Sequence, residues 1–539
     1  MSGRPVKRIN ALFTAICIVM IAAIGAEAAS LPYSADEGRL SAFDYDLYMY
    51  PAWAGEAVYQ ELTVFYVDGN GDTVGGRLLY KPEKIISVRN FGLKREFKEG
   101  RDFTVTGQGI ALTEDSGISV MPRSSYCDED NKEYTHQLKD GNGGAIKTDN
   151  SVLQKYYLAV TYTTNEKWDG PVPGSELDRL PGLAGKLKNK KPVTIAILGD
   201  SISVGYTTSG LNDPSYRVNG EQITCKVNIP PYMPIWPKLV GEALKRAYGY
   251  DDITVVNWAV GGTNTASECL PDMIDRVISS VPDLVIVGFG MNEFWSPAES
   301  HGLRLTGILE TLHASLPDAE YVLVSSMLPN MLAYSEDNMH LADFEREYYR
   351  IREERDDLQI AVAPLNGVYC YARQTKGDFG LLGGNQNHPN DFGARLYAQT
   401  VAAVLGVYDT PAVLTDALPD GKSGDDYSAD LIAYCEHDVE WSAEGLPEGV
   451  RVSADGRISG IPVKEGEYTV SVTASSGGRV STSALVLKIA PGDSPASEEA
   501  PEKGHFSVLS AAAVALSAVA VFMTAAVTAV ALAKKKRKN

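Results

Sequence analysis

The stretch TIAILGDSISVG, residues 194–205, decides how the central part of this chain folds. Its mostly apolar start has the composition of a buried strand, and it runs directly into Gly-Asp-Ser and a glycine-containing loop. Gly-Asp-Ser by itself also makes an ordinary turn after a strand. A serine held on a tight turn at the end of a central strand nevertheless exposes its hydroxyl to a substrate, so Ser201 is a candidate nucleophile.

Residues 190–408 continue as apolar strands that alternate with amphipathic helical segments. IWPKLVGEALKRAYG (235–249) has helical spacing, ITVVNWAV (253–260) is typical of a strand, and TASECLPDMIDRVISSV (265–281) is helical again. This alternation predicts an α/β domain whose parallel sheet is covered on both faces. Such sheets bind ligands outside the carboxyl ends of their strands, which is where Ser201 lies.

Two later strand ends supply hydrogen-bond donors at the same edge. NWAVGGTNTAS follows the second strand and contains Gly261 and Gly262, whose N–H groups can approach a substrate oxygen without hindrance from a side chain. GFGMNEFW follows the third strand and contributes the side-chain amide of Asn292. Acyl transfer requires donors that converge on a developing oxyanion, so this pattern favours that reaction.

A histidine completes the set. NQNHPNDFGARLYA places His388 just before the last helix of the domain, with Pro389 stiffening the turn and Asn390 or Asp391 available to cap the helix. The other histidines of the domain lack the spacing of metal ligands, and we interpret them as ordinary surface or helix residues. They are His301, His313 and His340.

Together these motifs resemble the SGNH (GDSL-like) hydrolase family. Gly-Asp-Ser, Asn-x-x-x-Gly-Gly, Gly-x-Asn and His-Pro-Asn occur in the family's order. The chain is similar in particular to bacterial carbohydrate esterases that carry a β-domain before the SGNH domain. The resemblance implies a flavodoxin-like three-layer fold, no metal and no cofactor. It also implies Ser201 as nucleophile, His388 as base, and an oxyanion hole formed by the Ser201 and Gly262 backbones and the Asn292 side chain, with Gly261 as an alternative to Gly262.

Two positions depart from the family pattern. Glu293 follows Asn292 where the family often has Asp. We expect it to contact residues of the site rather than the substrate. Asn385 stands three residues before His388, where the family usually has an Asp that orients the imidazole and stabilises its protonated form. Asn385 lacks that charge, although its carbonyl oxygen can still accept the Nδ1 proton. Asp378, Asp391 or a backbone carbonyl are the alternatives, and the sequence does not choose among them.

Two β-rich regions flank the α/β domain. Short strand-like runs separated by Gly, Asn and Asp turns predict an N-terminal β-sandwich over residues 31–166. Residues 411–490 resemble the Ig-like repeats of bacterial surface proteins, which predicts a second β-sandwich. The Pro-, Ser- and Glu-rich residues 491–505 are typical of a solvated stalk.

Both ends of the chain have the composition of targeting segments. Residues 1–28 are predicted to be a signal peptide that is cleaved near Ala28. Residues 506–533 are uncharged and exceed the roughly 20 residues that span a bilayer, and the basic tail 534–539 follows at once. We therefore expect a single-pass cell-membrane protein whose ectodomain lies outside the cell.

Charge and cysteine content limit the possible partners. The formal net charge is −20, which argues against nucleic acid as a partner. Cys17 would leave with the signal peptide, and the remaining cysteines are odd in number, so at least one thiol is free or pairs between chains. They are Cys127, Cys225, Cys269, Cys370 and Cys435. The oligomeric state cannot be derived from the sequence.

The predicted function is hydrolysis of a small acyl ester, acetyl in the first instance, on a carbohydrate. The long loop 205–236 is rich in Tyr, Pro and Asn and is expected to shape the substrate site, with Tyr206, Trp236 and Trp295 as candidate sugar-binding residues. Core packing is the alternative for these aromatic residues. Other functions remain open: a lipid or aryl esterase, a deacetylase of envelope glycans, or an inactive glycan-binding protein of the cell surface.

Overall fold

A computed structural model describes residues 37–492 of the 539-residue chain, except 132–135, 148–150, 212–216, 219–220, 223–226, 336, 338, 436 and 477–478. The predicted signal peptide (1–28), transmembrane helix (506–533), basic tail (534–539) and most of the stalk (491–505) lie outside the described residues. None of the helices in the described part of the chain is long and apolar enough to cross a bilayer.

The N-terminal region, residues 37–166, is built on one four-stranded sheet. Its elements are α1 (Glu37–Leu40), α2 (Tyr45–Met49), β1 (Ala57–Thr63), β2 (Phe65–Val67), β3 (Thr73–Gly75), β4 (Lys84–Asn90), β5 (Glu96–Phe97), β6 (Phe103–Thr106), β7 (Gly109–Leu112), β8 (Cys127–Asp128), β9 (Ala145–Ile146) and β10 (Leu158–Thr163). The sheet has the antiparallel order β1-β10-β4-β5. The remaining strands pair two by two, β2 with β3, β6 with β7 and β8 with β9.

The β-sandwich predicted for residues 31–166 is not confirmed. The strands outside the four-stranded sheet are only two to four residues long, which is too short to build a second facing sheet. All seven residues of β1 are nevertheless buried. Because successive side chains of a strand point to opposite faces, β1 must be covered on both sides.

The α/β domain, residues 190–408, contains the predicted parallel sheet. With the preceding helix α3 (Pro181–Lys188), its elements are β11 (Val193–Gly199), α4 (Ser201–Val204), β12 (Arg217–Val218), β13 (Glu221–Gln222), α5 (Trp236–Tyr248), β14 (Ile253–Asn257), α6 (Leu270–Ser279), β15 (Leu284–Gly288), α7 (Ala298–Ser315), β16 (Glu320–Val324), α8 (Leu341–Glu354), β17 (Ile360–Ala363), α9 (Leu365–Lys376) and α10 (Asp391–Val404). The parallel strands follow the order β14-β11-β15-β16-β17, which is the flavodoxin-like order. The predicted fold of this domain is confirmed.

Helix α10 joins the N-terminal region to the α/β domain. Every residue of this helix is buried. It contacts β17 and α5 of its own domain, and it also contacts β1 and α2 of the N-terminal region. Apolar residues of both regions form one continuous core. The two regions therefore make one fused body, residues 37–408.

The Ig-like domain has a core of its own. Its strands are β18 (Ala412–Val413), β19 (Gly421–Lys422), β20 (Tyr427–Asp430), β21 (Ala433–Tyr434), β22 (Glu440–Glu444), β23 (Val450–Val452), β24 (Arg457–Gly460), β25 (Gly466–Ser476) and β26 (Arg479–Ala490). The sheets β19-β26-β25-β22 and β20-β24-β23 share a separate apolar cluster that includes Trp441, Val472 and Leu487.

None of the cysteines that the structure describes forms a disulfide. Cys127 is buried, Cys370 and Cys435 are half-buried, and Cys269 is exposed. Cys225 lies outside the described residues.

Candidate active site

Ser201 begins the short helix α4 directly after the central strand β11. Asp200 caps this helix, because its Oδ1 accepts a hydrogen bond from the Ile202 N–H at 2.9 Å. The helix ends at Gly205, whose φ of 87° is left-handed, and a Cβ at this position would lie 2.2 Å from Ile235 Cγ2. Only glycine fits there. The resulting tight turn holds Ser201 at the carboxyl end of the central strand.

His388 lies in the turn that precedes α10, and its Nε2 is 2.8 Å from Ser201 Oγ. The turn is closed by a hydrogen bond from the Gly383 N–H to the His388 carbonyl at 2.8 Å. Asn390, rather than Asp391, caps α10 with its side chain. Serine hydroxyl and imidazole are thus within the distance that proton transfer requires.

Two further segments lie at the same edge of the sheet. Gly262 is exposed with a φ of 76°, whereas Gly261 is buried without a positive φ. Asn292 lies in the 3-10 turn Met291–Glu293 after β15, and its Nδ2 donates to the Thr263 carbonyl at 2.9 Å. The loop that contains Gly262 and the side chain of Asn292 are therefore joined. Their role as oxyanion donors stays a prediction.

Asn385 connects the histidine turn to the N-terminal region. Its Nδ2 donates to the Ser125 carbonyl at 3.3 Å, and the residue has no exposed surface. Ser125 belongs to the 3-10 turn Arg123–Ser125. The residue three positions before His388 thus docks the histidine turn onto a neighbouring region of the chain.

The two aspartates that the sequence offers for orienting His388 are engaged elsewhere. Asp378 forms an ion pair with Arg373 on α9. Asp391 accepts hydrogen bonds from the Ser209 N–H at 2.8 Å and from the Ser209 hydroxyl at 2.6 Å. The Asp378 carboxylate is thus bound to α9, and the Asp391 carboxylate is bound to the segment that follows α4.

The segment that follows Ser201 also holds this turn. The ring centroids of Tyr206 and His388 are 4.3 Å apart. The Thr207 hydroxyl donates to the Pro389 carbonyl at 2.7 Å. The segment after Ser201 therefore contacts the histidine turn at two successive residues, in addition to the Ser–His contact.

Two buried carboxyls near the site have raised pKa values. Burial raises the pKa of Asp200 to about 7, against the lowering effect of the Ile202 N–H and of His388 nearby. Burial also raises the pKa of Asp391 to about 6, although its hydrogen bonds from Ser209 act in the opposite direction. Both groups keep their protons to a higher pH than an ordinary aspartate.

Comparison with known proteins identifies this domain. Residues 197–396 match the GDSL-like Lipase/Acylhydrolase family model. The prediction of a GDSL-like domain in this part of the chain is confirmed. Residues 410–490 match the Ig domain model, which confirms the Ig-like domain.

Individual proteins are more distant from this chain. An uncharacterized protein of Mycoplasma pneumoniae is 26% identical over 193 residues, and the match covers 34% of this chain but only 19% of that protein's length. A catalytic mutant of an acetylxylan esterase from Geobacillus stearothermophilus is 16% identical, with 40% and 94% of the two chains covered and a TM-score of 0.31. A family 3 carbohydrate esterase from Talaromyces cellulolyticus is 15% identical, with 39% and 94% covered and a TM-score of 0.29.

The aromatic residues predicted to bind sugar have different environments in the GDSL-like domain. Trp236 is only 1% exposed and its Nε1 donates to the Ile202 carbonyl at 3.0 Å, so it is a core residue and the prediction of a sugar contact is wrong. Its place at the start of the buried stripe of α5 accounts for this burial. Tyr206 lies against His388, and Trp295 is 59% exposed three residues after Asn292.

His301, interpreted as an ordinary surface or helix residue, is fully buried on α7. Its Nε2 is 3.0 Å from the Tyr348 hydroxyl, and its ring stacks on Phe344 with centroids 4.0 Å apart. The spacing of His301, Leu305 and Ile308 matches one face of a helix, and this signal could have placed His301 in the core.

The N-terminal region supplies contacts to the site that sequence reasoning missed. Gln154 Nε2 donates to the Thr207 carbonyl at 3.2 Å. The Tyr157 hydroxyl donates to the Leu382 carbonyl in the histidine turn. Neither side chain lies in a motif, so the sequence carries no signal for these contacts.

Proposed function

We propose that this protein is a serine esterase that removes small acyl groups, acetyl in the first instance, from carbohydrates. The observation that carries the proposal is the 2.8 Å contact between Ser201 Oγ and His388 Nε2 at the carboxyl edge of the sheet. The match of residues 197–396 to the GDSL-like Lipase/Acylhydrolase family model supports the reaction type.

The proposed reaction has two steps. Ser201 Oγ attacks the ester carbonyl carbon while His388 Nε2 takes the hydroxyl proton, and the negative oxygen is held by the Ser201 and Gly262 N–H groups and the Asn292 amide. The tetrahedral intermediate collapses as its bond to the sugar oxygen breaks, and His388 gives the proton to that oxygen, which leaves as a hydroxyl. A water molecule, deprotonated by His388, then attacks the acyl-enzyme and releases the carboxylic acid and free Ser201.

The sugar specificity of the proposal rests on two aromatic side chains near the site, of which Tyr206 is half-buried and Trp295 is exposed. Tyr206 lies against His388, and Trp295 presents more than half of its surface to solvent close to Asn292 in the sequence. Aromatic side chains commonly line sites for small organic ligands. In this proposal they bind the sugar ring and leave the acyl group at Ser201.

The cellular location is part of the proposal. The apolar residues 506–533, followed by a basic cluster, support a single membrane span with the ectodomain outside the cell. Protease added to intact cells that produce the chain should release the ectodomain. A chain that is protected until the cells are broken would contradict this location.

The function is tested by two assays on the same preparation. We expect the protein to hydrolyse p-nitrophenyl acetate and to release acetate from acetylated xylan, and Ser201→Ala to abolish both activities. Ser203→Ala, the same chemical change two residues away on α4, serves as the matched control and should retain them.

Each outcome has a separate meaning. Activity on the chromogenic ester alone would keep the serine mechanism and contradict the carbohydrate substrate. Activity that survives in Ser201→Ala would contradict the mechanism itself.

A further inference from the structure

We infer that Glu293 is a positioning residue that holds the two predicted oxyanion donors, Gly262 and Asn292, in a fixed relation to each other. The inference rests on the proposed esterase function and adds a residue to its machinery. These donors come from the ends of two different strands, β14 and β15, so something must fix the distance between them.

The Glu293 carboxylate bridges the two strand ends. Oε1 accepts a hydrogen bond from the Thr265 N–H at 2.9 Å, and Oε2 accepts one from the Thr265 hydroxyl at 2.7 Å. Thr265 lies three residues after Gly262 in the same loop. Glu293 is the residue next to Asn292, so one carboxylate ties the loop of the first donor to the turn of the second.

Neighbouring residues reinforce this bridge. Asn292 Nδ2 donates to the Thr263 carbonyl at 2.9 Å, and Asn264 Nδ2 donates to the Asn292 carbonyl at 3.3 Å. Three consecutive loop residues, 263–265, are thus hydrogen-bonded to the turn that carries Asn292. A loop held at three successive positions has little freedom to move away from the turn.

The charge of Glu293 is compensated inside the protein. Arg304 Nη2 lies 2.7 Å from Oε2, and its Nε donates to the Thr265 hydroxyl at 2.8 Å. His301 Nδ1 lies 3.2 Å from Oε1. Burial alone would raise the pKa of Glu293, but hydrogen bonds from His301 and Thr265 lower it to about 2. The carboxylate is therefore ionised throughout the neutral range and accepts the hydrogen bonds of Thr265 and Arg304.

Glu293 acts through the donors rather than on the substrate. It is only 3% exposed, so its carboxylate does not meet an incoming ester. Oxyanion donors act on a charge that develops only in the transition state, so a displaced donor lowers kcat and leaves KM nearly unchanged. A residue that merely stabilises the fold would instead reduce the amount of folded enzyme.

The chain contains a matched control for Glu293. Glu320 on β16 is also buried, and its carboxylate accepts two backbone hydrogen bonds, from the Gly182 N–H at 2.7 Å and the Leu183 N–H at 2.8 Å. These partners belong to α3, which precedes β11, whereas the site lies after β11 at the carboxyl edge of the sheet. Glu320→Gln repeats the chemical change of Glu293→Gln away from the oxyanion donors.

The test is p-nitrophenyl acetate kinetics on the full-length chain, normalised to folded protein. We expect Glu293→Gln and Thr265→Val each to lower kcat by about tenfold or more with KM within about threefold, since a lost oxyanion donor costs about a hundred- to a thousandfold. Thr265→Ser retains the hydroxyl, so its kcat should stay near that of the parent chain. Glu320→Gln should also leave kcat unchanged. If Glu293→Gln does not fold, Thr265→Val and Thr265→Ser decide the question.

The contrary results are distinct from a failure of the proposed function. A folded Glu293→Gln or Thr265→Val enzyme with wild-type kcat would overturn the inference, as would a raised KM at unchanged kcat. Equal losses in Glu293→Gln and Glu320→Gln would also overturn it, because they indicate a general effect on the fold. Hydrolysis by the parent chain that is independent of Ser201 would refute the proposed function instead.

Discussion

The N-terminal region and the Ig-like domain are both built mainly from β-strands, yet they relate to the α/β domain in different ways. The N-terminal region shares one continuous apolar core with the α/β domain. The Ig-like domain surrounds a separate cluster of its own. The N-terminal region is thus part of the fused body, whereas the Ig-like domain has a core of its own and adds only Leu414, at its start, to the buried residues of the shared core.

Helix α10 explains the difference. Arg395 donates to the Tyr48 carbonyl at 3.0 Å and to the Tyr59 carbonyl at 2.7 Å, and Gln399 donates to the Tyr48 and Tyr50 carbonyls at 2.9 Å. These buried polar groups would be costly without the N-terminal region to accept their hydrogen bonds. The N-terminal region therefore completes the fold of the domain that carries Ser201 and His388.

Deletion should give the largest difference between the two regions. A chain without residues 37–166 exposes the outer face of α10 and is expected to yield no folded, active hydrolase. A chain without residues 415–490 keeps Leu414 in the shared core and loses the separate cluster, so it should keep kcat/KM within about twofold. Ester hydrolysis and circular dichroism check both chains, and an active hydrolase without the N-terminal region would contradict the fused body.

The buried ion pair between the two parts of the fused body gives the next largest effect. Lys376 on α9 pairs with Glu61 on β1, with neither side chain exposed, and its Nζ also donates to the Leu62 carbonyl at 2.8 Å. Lys376→Met leaves Glu61 buried without its counter-charge, which costs about 3–5 kcal/mol of unfolding free energy. Urea unfolding measures this loss.

Lys488→Met is the matched control in the Ig-like domain. Lys488 lies 3.8 Å from Glu467, and both side chains are more than half exposed. Exposed pairs contribute little, so no resolvable change in unfolding is expected. Equal losses of unfolding free energy in Lys376→Met and Lys488→Met would contradict the claim that only the N-terminal region is bound to the α/β domain through a buried ion pair.

A smaller effect is expected where Asn385 docks on the N-terminal region. Asn385→Asp replaces the Nδ2 donor with an oxygen that faces the Ser125 carbonyl, and it buries a charge. We expect a loss of about 1–3 kcal/mol in unfolding free energy and no gain in kcat. Asn387→Asp, at a half-buried position in the same turn, is the control. A higher kcat in Asn385→Asp would contradict this expectation. It would show that a carboxylate at position 385 improves the function of His388.

The smallest expected effect is on the pH dependence of stability, which should differ between the fused body and the Ig-like domain. Burial favours the protonated forms of Asp200 and Asp391, whose pKa values are raised from 3.8 to about 7 and about 6. Their contribution to stability is complete below their unfolded pKa and is lost as the pH rises through their folded values. Between pH 5 and 7.5, calorimetry should show the Tm of the fused body falling by a few degrees.

Two variants check this assignment. Asp391→Asn removes one of the titrating groups and should flatten the fall in Tm. Asp455→Asn, in the Ig-like domain, should leave the slope of the fused body as it is. A transition of the Ig-like domain that moves in parallel with the fused body would contradict the separation.

The sequence predicted the parts of this molecule that depend on local patterns. Ser201, Asn292 and His388 each follow or precede a regular element at the carboxyl edge of the sheet, so strand order and motif order were enough to place them at one edge. The burial of Trp236 and His301 also follows helical spacing, but their residue types suggested surface roles. Periodicity was the better guide at both positions.

The fused body could not be predicted in this way. The contacts of Arg395, Lys376 and Asn385 with the N-terminal region join residues that are hundreds of positions apart. Each of these side chains is polar and would ordinarily be placed at the surface. Only the tertiary fold shows that a neighbouring region buries them.

The most direct test of the central claim, that His388 activates Ser201, is labelling by a serine-directed fluorophosphonate followed by peptide mass spectrometry. We expect one label, on Ser201, in the parent chain, and labelling slower by about a hundredfold or more in His388→Ala, because a positioned base contributes at least that much. Label on another serine, or an undiminished rate in His388→Ala, would contradict the account.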